Sequence, residues 1–329
     1  MRMIANIQFL RFFSALLIVL HHSIGTGSAY GYSPAVSNHL SEITKIGVDI
    51  FFIISGIVVT LSFLEKKETA SLFIFRRVAK VVPLYWFVTT LLLVILIVLP
   101  QDVVNSSVAL PNEIITSYLF LSQISGNGYP IFFVGWTLEF EMLFYCAFAI
   151  FIFLSNKISA MPKVLIIFTV FLAFAVSHLI FYFAVGVAMA YEYHFNANKR
   201  INVRCIFSFT GIIIISLALS FSEGVLRFDS FLFKLAAISS CFAALYFVQI
   251  KCKVILLLGS ITYSTYLVQV FVISAFYKLI KYSDTRFSAD LLLIPCIVLV
   301  LIAAFLLHYF VEKPIDVYFK NIFIRVKKL

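Results

Sequence analysis

Apolar residues run through this chain in long unbroken stretches, separated by short polar segments in which Lys and Arg collect. Runs of this length suit helices that cross hydrocarbon, whereas barrel strands would alternate apolar and polar positions. The pattern predicts spans near 4–24, 46–64, 81–100, 131–154, 163–177, 178–195, 205–222, 231–249, 254–276 and 288–311. The stretch from Lys163 to Tyr193 could form one long helix or two short ones. Lys157 and Lys163 precede it, and Lys199, Arg200 and Arg204 follow it. Both groups favour the cytoplasmic side, so the chain should cross twice between them.

These spans predict an all-α integral membrane protein. It is a bundle of about ten transmembrane helices with both termini cytoplasmic, forming a single domain over residues 1–329. On that topology eighteen of the 25 Lys and Arg residues fall on the inner side, six fall on the outer side, and Arg11 lies inside the first span. Lys278, Lys281 and Arg286 on the outer side run against the rule. Two outer loops, 25–45 and 101–130, are long, and "NEIITSYLFLSQI" within the second could lie along the interface or re-enter.

Composition excludes a soluble domain: 63% of residues are hydrophobic, 12% are charged, and the mean hydropathy is +1.07. The net charge of +10 is what inner-leaflet loops accumulate, so the expected partner is the lipid bilayer and not nucleic acid. The five cysteines include no CxxC pair and mostly sit in apolar stretches, so neither a disulfide framework nor a metal site is expected. Arg2, an apolar core and "GSA" at 27–29 have the outline of a cleavable signal peptide. Topology and the chemistry of the first span argue instead that it is retained.

Ionisable side chains inside spans are costly and usually face a cavity or a partner. "IQFLRFFSALLIVLHHS" holds Arg11 and ends on His21 and His22. Arg11 and His22 are eleven residues apart, hence on one helix face and separated by about 16 Å along the axis. They could address two ends of an elongated ligand. His21 points about 100° away from His22 and reads as an interfacial neighbour. "GVDIFFIISG" opens the second span with Asp49, which could orient His22, hold Arg11 or answer the helix dipole. Its Gly47 and Gly56 permit close helix approach. "FRRVAKVVPLYW" clusters Arg76, Arg77 and Lys80 before Pro83 at the mouth of the third span; it suits polyphosphate binding, or is ordinary inner-leaflet charge. "GWTLEFEMLFY" carries Glu139 and Glu141, which point about 200° apart, so one of them can face a given cavity. A carboxylate opposite His22 would fix its tautomer. His178, Gln269 and His308 are further polar groups in apolar surroundings. HExxH, GxSxG, P-loop and GxGxxG motifs are absent from the sequence.

Taken in order, these segments resemble the acyltransferase 3 family of multi-span membrane enzymes over most of the chain. Arg11 to His22 is similar to that family's Arg, ten residues, His pattern. "GVDIFFIISG" resembles its Gly-Val-Asp-x-Phe-Phe-x-x-Ser-Gly segment. "FRRVAKVVPLYW" resembles its Arg-Arg-x-x-Arg stretch, with Lys80 replacing the third Arg. "WTLEFEMLFY" resembles its Trp-Ser/Thr-Leu-x-x-Glu motif, which selects Glu141. "LGSITYSTYLVQ" at 258–269 and "HYFVEKP" at 308–314 resemble its closing segments, except that Gln269 stands where the family usually has His. The resemblance is nearest to the exopolysaccharide and O-antigen O-acetyltransferase branch.

The resemblance implies transfer of an acyl group, commonly acetyl, from cytoplasmic acyl-CoA to a glycan hydroxyl across what would be a bacterial cytoplasmic membrane. No permanently bound cofactor is expected. On this reading Arg76, Arg77 and Lys80 meet the CoA phosphates, and the pantetheine arm passes Arg11. His22 acts as general base or as a covalent acyl relay, and Glu141 or Asp49 orients it. A glycan transporter or flippase, or a membrane acyltransferase acting on lipid or protein, would place similar groups in its spans.

Overall fold

The computed structural model describes residues 2–32, 43–66, 68–98, 110–155, 179–196, 237–239, 241–242, 252–283 and 288–326. The expected spans at 163–177 and 205–222, and most of 231–249, lie outside these residues. Within them every regular element is helical. In chain order these are α1 (Arg2–Ala29), α2 (Ile46–Lys66), α3 (Ala70–Val98), α4 (Pro111–Tyr118), a 3-10 turn (Phe133–Gly135) leading into α5 (Trp136–Ser155), and α6 (Ile180–Asn196). After the next described stretch come α7 (Lys253–Ser260), α8 (Thr262–Tyr282), α9 (Ala289–Leu307), a π turn (His308–Glu312) and α10 (Lys313–Val326). Among the described residues, six stretches are long and apolar enough to cross a membrane: Asn6–Ala29, Ile46–Lys66, Ala70–Val98, Phe133–Leu154, Thr262–Tyr282 and Ala289–Phe323.

The third span departs from the sequence reading. Its helix starts at Ala70, so the basic segment is the first half of α3 rather than a loop before it, and Pro83 lies inside the helix. Arg, Ala and Lys are good helix formers, and the Thr69 hydroxyl accepts the Leu72 N–H at the start. Pro83 removes one backbone donor, a loss that neighbouring helices in a membrane bundle absorb. The expected span at 254–276 is broken at Ile261 into α7 and α8.

α1 packs against α2, α7, α8 and α9, so it runs through the interior of the described bundle and can carry polar side chains. Ser14 and Ser23 on it are fully buried. α2 crosses α6 at the closest approach: a Cβ on Gly56 would lie 2.4 Å from the Phe183 carbonyl oxygen, and one on Gly186 would lie 2.1 Å from that of Ile53. Small residues facing each other are what let two helix backbones meet in lipid. Gly47 plays the same part toward Ser14 of α1. Around these crossings the core mixes phenylalanine and isoleucine, with Phe144 stacked on Phe183 at 4.4 Å and Phe52 tilted against it at 4.7 Å. Leu291, Ile294, Val298 and Ile302 of α9 stay exposed, a face suited to acyl chains.

The connections set up two ends. The short link from α2 to α3 puts Arg76, Arg77 and Lys80 at one end. The C-terminus of α1 and the N-terminus of α2, with His22 and Asp49, lie at the other.

Candidate active site

At that second end, a cavity of about 410 Å³ is lined by His21, His22, Asp49, Phe133 and Trp136, among others. This is within the usual size range of small-molecule sites. His22 sits about two turns before the end of α1, its ring edge-to-face with Phe133 at 5.2 Å and with His21 at 5.4 Å. Among the described residues neither of its ring nitrogens makes a hydrogen bond. His21, expected to turn away, lines the same cavity, with Nδ1 3.2 Å from the Thr44 hydroxyl. Asp49 shares the cavity but makes no hydrogen bond to His22, so the expected orienting contact is not formed.

Glu141 does not orient His22 either. Its Oε1 accepts the Ser55 hydroxyl at 2.6 Å and the Tyr145 hydroxyl at 2.5 Å, and the side chain is buried. Four residues separate Glu141 from Tyr145, which places both on one face of α5. The Arg77 guanidinium lies 5.3 Å over the Tyr145 ring and 5.4 Å over the Phe73 ring. A second polar cluster therefore sits inside the bundle, with Glu141 and Tyr145 at its centre and Arg77 stacked on it. Asp49 does not hold Arg11. Among the described residues, neither Arg11 nor Arg77 makes an ion pair.

Arg76 and Lys80 differ from Arg77. Lys80 Nζ donates to Glu312 Oε1 at 2.7 Å and to Asp316 Oδ2 at 2.6 Å. The other oxygen of Glu312 accepts from Ser264 at 2.7 Å and from His308 Nδ1 at 2.8 Å, so this buried carboxylate is fully partnered. Arg76 pairs with Glu68, and its guanidinium lies over the Phe323 ring at 5.9 Å. Of the three cations expected to meet phosphate, two are committed to acids of the chain itself.

The segment between α4 and α5 is built around Glu139. Phe120 ends α4 in the left-handed region (φ 59°), with its ring buried on Tyr85 at 4.6 Å. Such a conformation costs a side-chain-bearing residue about 1–2 kcal/mol. The Leu121 N–H returns to the Thr116 carbonyl, a helix-ending motif that usually has glycine where Phe120 stands. The turn then presents two consecutive N–H groups to Glu139. That of Ser122 meets Oε1 at 3.0 Å, and that of Gln123 meets Oε2 at 2.8 Å. Farther on, the Ile131 N–H donates to the Ser117 hydroxyl at 2.8 Å, and the Tyr266 hydroxyl donates to the Val134 carbonyl at 2.5 Å. Gln269, one turn along α8, is fully buried and does not line the cavity. Its Nε2 donates to the Tyr266 carbonyl, while its Oε1 has no partner among the described residues.

The sequence reading passed over Ser55, Tyr145 and Glu312. Tyr145 was accessible from its spacing to Glu141. The link from Lys80 to Glu312 spans 232 positions and left no local trace.

A family model described as an acyltransferase domain matches residues 4–310. The chain is 33% identical over 116 residues to the exopolysaccharide production protein ExoZ of Rhizobium meliloti (strain 1021), a match covering 34% of this chain and 36% of that protein. The match thus spans about a third of that relative's length. No solved structure matches the chain significantly.

Proposed function

The chain belongs to the acyltransferase 3 family, and from that premise we propose that it transfers an acyl group, of the acetyl class, from acyl-CoA to a hydroxyl of a surface polysaccharide or its lipid-linked precursor in a bacterial cytoplasmic membrane. The observation that carries this reading is His22: an imidazole with no hydrogen bond among the described residues, facing a cavity lined by aromatic rings and by Asp49 and Lys45. A neutral imidazole in that position takes the proton of an entering hydroxyl. The hydroxyl oxygen forms its bond to the thioester carbonyl carbon, and the tetrahedral adduct collapses by breaking the carbon–sulfur bond. The departing thiolate recovers the proton from His22. Asp49, in the same cavity, favours the imidazolium formed on the way. General-base help of this kind is worth about 10²–10⁴-fold in rate.

Arg77, with Arg11 behind it, is the group best placed to receive the donor's phosphates at the opposite end. The polysaccharide acceptor is supported by the similarity to an exopolysaccharide production protein and by the aromatic lining of the cavity. Membranes carrying the protein, given radiolabelled acetyl-CoA and surface polysaccharide stripped of its esters by mild alkali, should ester-label the polysaccharide. His22→Ala should abolish that label at an unchanged protein level. Persistent labelling in the variant would remove His22 from the chemistry. Label retained on protein when acceptor is omitted would point to a covalent acyl-His step.

A further inference from the structure

The loop between α4 and α5 carries more structure than a connection needs. A buried carboxylate, Glu139, accepts two successive backbone N–H groups, at Ser122 and Gln123. Phe120 is held in the left-handed region to present them. Closing bonds follow within the loop, from the Ser125 N–H to the Leu121 carbonyl and from the Asn127 N–H to the Ser122 carbonyl. The far end is pinned by the Ser117 hydroxyl to the Ile131 N–H. Backbone strain of this kind persists where the surroundings over-determine it, and it collects at functional sites.

What the loop delivers is one wall of the His22 cavity. Tyr129 stands on its exposed arm and Phe133 at its end, and both line the cavity with Trp136 and Tyr266. Phe133 is also the ring set edge-on against His22. Flat aromatic faces beside several hydroxyl groups and the Asp49 carboxylate match the two kinds of surface on a sugar, its C–H face and its hydroxyl rim.

We propose that Glu139 is a positioning residue for the acceptor: it locks the 120–133 loop so that Tyr129 and Phe133 form the platform on which a sugar ring is held before His22. This rests on the reading of the cavity as the place where the acceptor hydroxyl meets that imidazole. A carboxylate is needed because both of its oxygens are acceptors. In Glu139→Gln the amide NH₂ would oppose a backbone N–H, donor against donor, and one end of the loop would come loose. Glu139→Asp keeps two acceptors.

The full-length protein in membranes would be assayed with radiolabelled acetyl-CoA and alkali-stripped surface polysaccharide. Glu139→Gln should raise the KM for the polysaccharide several-fold while leaving the KM for acetyl-CoA unchanged, and Glu139→Asp should restore most of the difference. Ser117→Ala, which frees the other end of the loop, should show the same split even if Glu139→Gln fails to accumulate. Parallel shifts of both KM values, or no shift in either, overturn the proposal. A second readout needs no turnover. The sequence holds two tryptophans, so Trp86→Phe leaves Trp136, on the cavity, as the sole emitter. Its emission should move to the red in Glu139→Gln as water enters past the loosened loop; an unmoved spectrum also overturns the proposal. If the emission shifts but the parent protein transfers nothing to polysaccharide, the function above has failed while the loop lock stands.

Discussion

Arg77 keeps its guanidinium between the rings of Phe73 and Tyr145, whereas its neighbours on α3 are tied to Glu68, Glu312 and Asp316. A cation already bound to two carboxylates must exchange them before it can bind phosphate, and that exchange returns little net energy. Arg77 needs no such exchange. Arg77→Ala should therefore raise the KM for acetyl-CoA about tenfold or more, a loss of the order of one charge-assisted contact, with the protein folded. Lys80→Ala should act on stability instead, because it leaves the buried Glu312 with only Ser264 and His308. Breaking a buried pair costs about 3–5 kcal/mol, and the solvent access of Lys80 lowers that toward about 1 kcal/mol. Thermal inactivation in detergent checks this: Lys80→Ala should inactivate earlier, and Lys80→Gln combined with Glu312→Gln should recover part of the loss. A raised donor KM in Lys80→Ala at unchanged thermal stability would restore that lysine to the phosphate site.

At the scale of elements, the tightest joint is the crossing of α2 and α6. Adding one methyl at Gly186 drives it into the Ile53 carbonyl, and packed interiors resist such insertion by about 1–3 kcal/mol. Gly186→Ala should lower the yield of folded protein and the midpoint of thermal aggregation, whereas Gly25→Ala, with open space around it, should change neither. Much of this level was legible beforehand. The helices follow from unbroken apolar runs, and Gly47 and Gly56 announced close packing in "GVDIFFIISG". The start of α3 was not legible, because Arg76, Arg77 and Lys80 read as a polar boundary although they are also good helix formers. At the site, periodicity put Arg11 and His22 on one face, while the four-residue spacing that sets Glu141 beside Tyr145 was there to be read and was passed over. Periodicity could not say which helix faced them. The Ser55 contact to Glu141 and the Glu312 contact to Lys80 are set by tertiary packing, and the left-handed turn at Phe120 occurs without the glycine that would have marked it.

For the whole molecule, the separation of the two ends is the feature that function must use. The cavity with His22 opens where α1 ends and α2 begins, and Arg77 lies where α2 has ended and α3 begins. Arg11 is about 16 Å of helix rise from His22 toward the start of α1, so it stands between the ends. If α1 and α2 cross the bilayer, donor and acceptor approach from opposite faces, and the acyl group travels along α1. Sealed vesicles separate the faces. Cysteines introduced at Lys45 and at Lys66 should react with an impermeant maleimide from opposite sides, which fixes the orientation of each preparation. Acetyl-CoA should support transfer when supplied on the Lys66 side and fail when supplied on the Lys45 side, with polysaccharide present on the Lys45 side in both cases. Equal transfer from either side would mean that donor and acceptor share the His22 cavity. Arg77 would then have no part in donor binding, and its stacking on Tyr145 would serve the bundle alone.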